Sequence, residues 1–331
     1  MSKRMFKTPE LMPVEEARKA IGNGLKVKEI DLKTVEVQYP RDDGESFFVG
    51  GHAAGKEHVK YICTRAGLSV QTAMRMSPKL RTNAFGELSD GNARLLLGSD
   101  DKVVHILGEE GVYVSYPKVF DAIVDATNAT HVEVVRDRSS FMNFVTKDSI
   151  PAKKDDILRS GISMEASYGD GTQQFSIGPF CYRLVCTNGM IGYEDNLLDF
   201  ASTKEDDVLA FIAQQSGAML ELARKNMIPH MISLQQQKVS DAVSFLHGYL
   251  GEVSVGSKVR QEIEDEAQSV SEPTAWDLLN IVTSHANRVK PSHRRRLQKL
   301  GGLMVSAETS ACRCPQCHRD LTTAPKPTIK G

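Results

Sequence analysis

Three short stretches of this 331-residue chain carry residue types at spacings that do chemistry. The first is Cys312-Arg313-Cys314-Pro315-Gln316-Cys317-His318. A Cys-x-x-Cys turn with a proline inside points its backbone amides at the two thiolates, as in a zinc knuckle. Cys312, Cys314, Cys317 and His318 are therefore candidate ligands for Zn2+. Cys317 and His318 are adjacent and strain to bind one ion together. No second Cys-x-x-Cys follows, so a closed tetrahedral site needs a distant residue or a second chain. A thiol cluster in a loose tail is the alternative. The string also matches haem c attachment, which a chain without an export signal should not meet.

The second stretch is basic. Arg288, Lys290, His293, Arg294, Arg295, Arg296 and Lys299 crowd into a dozen residues. Such a cluster neutralises several phosphates, and phosphate contacts dominate non-specific nucleic-acid affinity. The competing reading is a solvated helix face paired with the acidic segment just upstream. From Gly192 to Asn280 there are fifteen acidic and six basic residues, and from Ile281 to Gly331 two acidic and ten basic. A chain of net charge −1 thus joins an acidic block to a basic one.

The third stretch, Gly50-Gly51-His52-Ala53-Ala54-Gly55-Lys56, fits the G-x-x-x-x-G-K of a phosphate-binding loop. Glu57 stands where a Ser or Thr should ligate magnesium, and its carboxylate repels phosphate. The strands downstream read as an antiparallel meander, which does not suit a parallel nucleotide-binding sheet. A glycine-rich lead into a helix is the better reading. His105, His131 and His247 fall within apolar patterns and read as packed. No Gly-x-Ser-x-Gly, His-Glu-x-x-His or paired-carboxylate arrangement stands out, so the reading leans away from an enzyme.

The elements that must position these groups follow from periodicity. Val14 to Ile21 reads as a short helix. Thr34–Tyr39 and Ser46–Val49 read as a hairpin about Pro40–Gly44. Val59, Ile62, Cys63 and Ala66 recur at helical spacing. Ala93–Leu97, Val103–Leu107 and Val112–Tyr116 look like a three-stranded meander, after which Pro117 opens a helix. His131–Arg136, Phe141–Val145, Ile162–Tyr168 and Gln174–Cys186 continue the strand signal. After Leu198 the period changes to that of helices over Val208–Ala223, Val239–Leu250 and Thr274–Val289. The expected class is α+β, with an antiparallel sheet over about 30–190 and a mainly helical region over about 200–300. The expected division is 1–199, 200–303 and a Cys-rich, partly disordered tail at 304–331. At 40% hydrophobic and 25% charged the chain has material for a real core. It lacks the ~20-residue apolar run of a membrane helix. Six cysteines without an apolar leader fit a reducing compartment, so the expected location is cytoplasmic.

The segment Phe175-Ser176-Ile177-Gly178-Pro179-Phe180-Cys181-Tyr182-Arg183-Leu184-Val185-Cys186-Thr187-Asn188-Gly189-Met190-Ile191 resembles the central signature of an uncharacterised protein family of phages, prophages and plasmids. Trp276-Asp277-Leu278-Leu279-Asn280-Ile281-Val282-Thr283-Ser284-His285 resembles the C-terminal helix of that family. The likeness spans about residues 50–290 and carries no established catalytic residues. It implies a mobile-element protein acting in the host bacterial cytoplasm, near DNA replication, recombination or evasion of host defence. Within the signature, Arg183 beside Asn188 reads either as a phosphate or base-edge contact or as a cap on the sheet edge. The expectation is a self-associating, non-enzymatic DNA-binding protein that handles single strands in recombination or replication. Its contacts would be Arg183, Asn188, Arg288, Lys290, Arg294, Arg295, Arg296 and Lys299. The rival is an anti-restriction or host-takeover factor that engages a host protein through its acidic block. Low aromatic content weighs mildly against single-strand binding, which commonly uses base stacking.

Overall fold

In the computed structural model, the residues described are 11–38, 47–88, 91–136, 140–153, 156–169, 172–184, 188–192, 196–198 and 204–305. The chain opens with β1 (Leu11–Pro13), α1 (Val14–Ile21) and β2 (Lys26–Asp31), then a small sheet of β3 (Val37–Gln38), β4 (Phe47–Val49) and β5 (His52–Ala54). Helices α2 (Lys56–Arg65), α3 (Val70–Arg75) and α4 (Pro78–Leu88) follow. Next come β6 (Asn92–Leu97) and β7 (Val103–Gly108), which pair with β2 in the order β2-β6-β7. The expected third strand of that meander at Val112–Tyr116 is instead a connection that enters a helix at Tyr116, and the third strand is β2. Gln173 explains this, because its side chain accepts from Val114 N at 2.8 Å and donates to Val114 O at 3.1 Å. A side-chain amide thus does what a neighbouring strand would otherwise do.

Helix α5 (Tyr116–Thr127) ends at Asn128, whose φ of 52° supplies the left-handed turn into β8 (Ala129–Arg136). The main sheet continues through β9 (Ser140–Lys153), β10 (Asp156–Gly169), β11 (Thr172–Arg183), β12 (Asn188–Ile191) and β13 (Asn196–Leu198). Its order is β1-β8-β9-β10-β11-β12, with β13 also paired to β11, and each of its pairings is antiparallel. The helical part is α6 (Glu205–Leu222), a π-helical turn at Ala223–Met227, α7 (Ile228–Ser233), α8 (Ala242–Leu250), α9 (Ser257–Gln268), α10 (Ala275–His285) and α11 (Pro291–Val305). The chain is α+β, as its periodicity predicts. Among the described residues no helix is long and apolar enough to cross a membrane.

The two faces of the main sheet differ in chemistry. Val132, Phe144 and Ile162 form one cross-strand row on an apolar face, which packs on Phe120 and Ile123 of α5 and on Val208 and Ile212 of α6. That core joins strands and helices from both sides of residue 200. On the opposite face the matching row is Glu133, Asn143 and Ser163, all buried. Alternation along antiparallel strands normally leaves such a polar face to water. Here α11 covers it. Leu297 and Leu300 of α11 enter a second core with Trp276, Leu279 and Val282 of α10. A Cβ on Gly302 would overlap the Ile191 carbonyl, so glycine at this position lets α11 lie directly against the backbone of β12.

Candidate nucleic-acid interface

Helix α11 begins at Pro291, where the missing N–H costs nothing, and the Lys290 carbonyl accepts from His293 N at 3.0 Å and Arg294 N at 2.9 Å. Its 100° per residue then divides the basic cluster between two environments. Arg294 is 2% exposed and pairs with Glu133, whose side chain is also 2% exposed. Arg294 Nη1 donates to Asn287 Oδ1 at 2.6 Å, and Asn143 Nδ2 donates to Glu133 Oε2 at 2.7 Å. Burial pushes the Glu133 carboxyl upward and the Arg294 charge pulls it back. Arg295 is 6% exposed. Its Nε donates to Glu165 Oε2 at 2.7 Å and its Nη1 to Ser163 Oγ at 2.9 Å, with the guanidinium 5.3 Å from the Phe141 ring centre. Arg294 and Arg295 are therefore corrected from phosphate contacts to internal ion pairs. Both guanidinia face the sheet, away from water.

The remaining members of the cluster lie on the outer side. Arg288, Lys290 and Arg296 are exposed, while His293 and Lys299 are half-buried. At 100° per residue His293, Arg296 and Lys299 are each offset by about 60° from the last, so they spread over the outer side of α11, with Lys290 just before its first turn. Burial first, then the charges of Lys290 and Arg296, hold His293 below the usual imidazole range. Arg288 Nη1 lies 3.4 Å from Glu266 Oε2 of α9, and Arg296 Nη1 donates to the Ser254 carbonyl. Part of the strip thus leans on the acidic segment. Among the described residues the one large aromatic that is exposed is Phe48, on β4 of the small sheet rather than on this strip.

The two strings that carry the family resemblance meet in space. Arg183 of β11 donates from Nε to both Asp156 oxygens, at 2.8 and 2.9 Å, and from Nη2 to Oδ2 at 2.6 Å. Its Nη1 donates to Asn280 Oδ1 of α10 at 2.6 Å, and its guanidinium lies 5.2 Å from the Trp276 ring centre. Side-chain exposures of 13% for Arg183 and 7% for Asp156 make this a clamp between the sheet and α10, closed to a polyanion. Of the two readings of Arg183, the cap is the one the geometry favours. Asn188 faces Arg183 in the β11–β12 ladder. Cys181 on the same strand is buried, which pushes its thiol up to about 12 and leaves it inert.

Gly50 and Gly51, with φ of 57° and 86°, make the turn between β4 and β5, and Gly55 caps α2. The Gly50–Lys56 string is thus a hairpin turn followed by a helix start. Cys312, Cys314, Cys317 and His318 lie outside the described residues. Among those described, no group of three or more His, Cys, Asp and Glu could hold a metal ion. His105 stacks on Tyr168 with ring centres 4.7 Å apart, and burial, then His58, lowers its pKa to about 4. Sequence reasoning missed the carboxylate partners Asp156, Glu133 and Glu165. Glu133 and Glu165 are signalled as acidic residues inside otherwise strand-like runs, whereas Asp156 follows Lys153-Lys154-Asp155 and carries no signal. No protein-family model, curated protein or solved structure matches the chain.

Proposed function

We propose that this chain is a non-enzymatic DNA-binding protein that holds phosphates along the outer strip of α11, through Arg288, Lys290, His293, Arg296 and Lys299. The single observation that carries the reading is the composition of that strip. A helix buried around most of its circumference turns three basic side chains, His293, Arg296 and Lys299, to solvent, next to Lys290 and Arg288. Cations near the N-terminal end of a helix oppose its dipole, so an anion seated there relieves a standing repulsion. Among the described residues no exposed aromatic lies on α11, which favours backbone contact over base stacking. The resemblance implies a mobile-element protein acting near replication, recombination or evasion of host defence, and handling of single strands with self-association is the role we propose for such a surface.

The test is fluorescence anisotropy with labelled single- and double-stranded oligonucleotides across a salt series. Lys290→Glu/Arg296→Glu/Lys299→Glu should weaken the submicromolar binding, reduce its salt sensitivity and leave the fold intact. Flat anisotropy for the intact chain at moderate salt overturns the reading. One observation favours the host-protein alternative: α9 exposes Glu262 and Asp265 beside the half-exposed Glu266. That surface fits a basic partner, which would appear as a stable complex without DNA affinity.

A further inference from the structure

The outer side of α11 carries one imidazole. His293 stands in the first turn, three residues after Lys290, which precedes the helix, and three before exposed Arg296. It is half-buried, and the charged groups that reach it are Lys290 and Arg296. The elements against α11 present their titratable groups to other partners. Arg288 and buried His285 face Glu266, and His247 of α8 faces Glu264 of α9. The two cations and partial burial disfavour imidazolium in the free protein. A phosphate between Lys290 and Arg296 offsets the field of the two cations at the ring and adds an acceptor for an imidazolium N–H.

We propose that His293 is the proton-linked contact of this strip, so that a phosphate polymer binds with uptake of one proton at its imidazole. This rests on the reading of the strip as a phosphate-binding surface. The sign follows from linkage. The bound anion raises the imidazole pKa above its free value, which is itself held below the ordinary one. Affinity therefore climbs as pH falls through the window between the bound and free values, around and below the ordinary imidazole range. The limiting slope for one proton is about tenfold in Kd per pH unit.

The experiment is anisotropy of the full chain with a labelled single-stranded oligonucleotide, from pH 5 to 8 at fixed ionic strength. His293→Gln and His293→Arg are measured beside the parent, after denaturation has verified that both are folded. Expected are a three- to tenfold gain per unit of acidification in the parent, a flat profile for His293→Gln, and a flat profile at tight affinity for His293→Arg. A parent without pH dependence, or the same slope in His293→Gln, overturns the proton link while leaving the phosphate strip standing. No binding by the parent at any pH removes the strip reading, and this inference with it.

Discussion

Arg295 and Arg296 are identical side chains one residue apart, yet one is 6% exposed and bonded to Glu165 and Ser163 while the other is exposed. The inner face of α11 is held in the fold by charges matched one to one, Arg294 with Glu133 and Arg295 with Glu165. On the outer side Arg288 has Glu266 as a carboxylate partner, Arg296 donates to the Ser254 carbonyl, and Lys290 is exposed. Clustered basic residues in a sequence are therefore two different materials once they lie on a helix. A buried pair specifies how α11 docks, whereas the exposed side chains are the ones the proposed phosphate contact would use.

That contrast can be broken experimentally, and the largest effect belongs to the inner face. Arg294→Met leaves Glu133 buried without its cation and should cost about 3–5 kcal/mol, read as a shifted urea midpoint. Adding Glu133→Met should recover much of that loss, because removing both charges also removes the desolvation penalty. Next is the clamp between the motifs. Arg183→Gln should cost about 2–4 kcal/mol by the same measurement, through an unpaired Asp156 and a lost bond to Asn280.

Smaller still is an acid effect far from α11. The pKa of His105 is lowered in the fold to about 4, below its unfolded value, so the folded state binds fewer protons between the two. Its contribution is fully present above about pH 6.5 and is lost as pH falls toward 4. With the ring partly exposed the loss should be about 1–2 kcal/mol, and His105→Gln should flatten the dependence of the urea midpoint on pH. The smallest effect sharpens the outer strip. Glu266→Gln releases Arg288 and should tighten oligonucleotide binding by about two- to fivefold in low-salt anisotropy titrations.

The α+β class, α1, strands β8 to β11 and the change of period after Leu198 are legible in the sequence, because each bears an apolar pattern of its own period, whereas β1, β12 and β13 are too short to show one. Gln173 is not legible as the partner of Val114, since a side-chain amide substituting for a strand leaves no periodic mark. Strands β9 and β10 run to 14 residues each, beyond the apolar runs that reveal them. Polar residues such as Lys147, Asp148 and Ser149 hide the extension. In the basic cluster, Leu297, Leu300 and Met304 mark the inner face of α11, and Arg294 stands three residues before Leu297 on that face. The Gly301-Gly302 pair masks the helix, because glycine has poor helix propensity and is required here by the approach to β12. The polar row Glu133, Asn143 and Ser163 reads as a solvated sheet face, since sequence alone does not say that a helix bearing its own arginines covers it.

The salt dependence of oligonucleotide affinity for the intact chain and for Lys290→Glu/Arg296→Glu/Lys299→Glu, with a urea curve for each, separates the proposed phosphate contact on the outer side of α11 from the folding role of its inner arginines. The account predicts that the triple variant keeps its unfolding midpoint and loses about two to three in the slope of log K against log salt. Equal affinity and slope in the two proteins, or no binding by the intact chain at moderate salt, would contradict it.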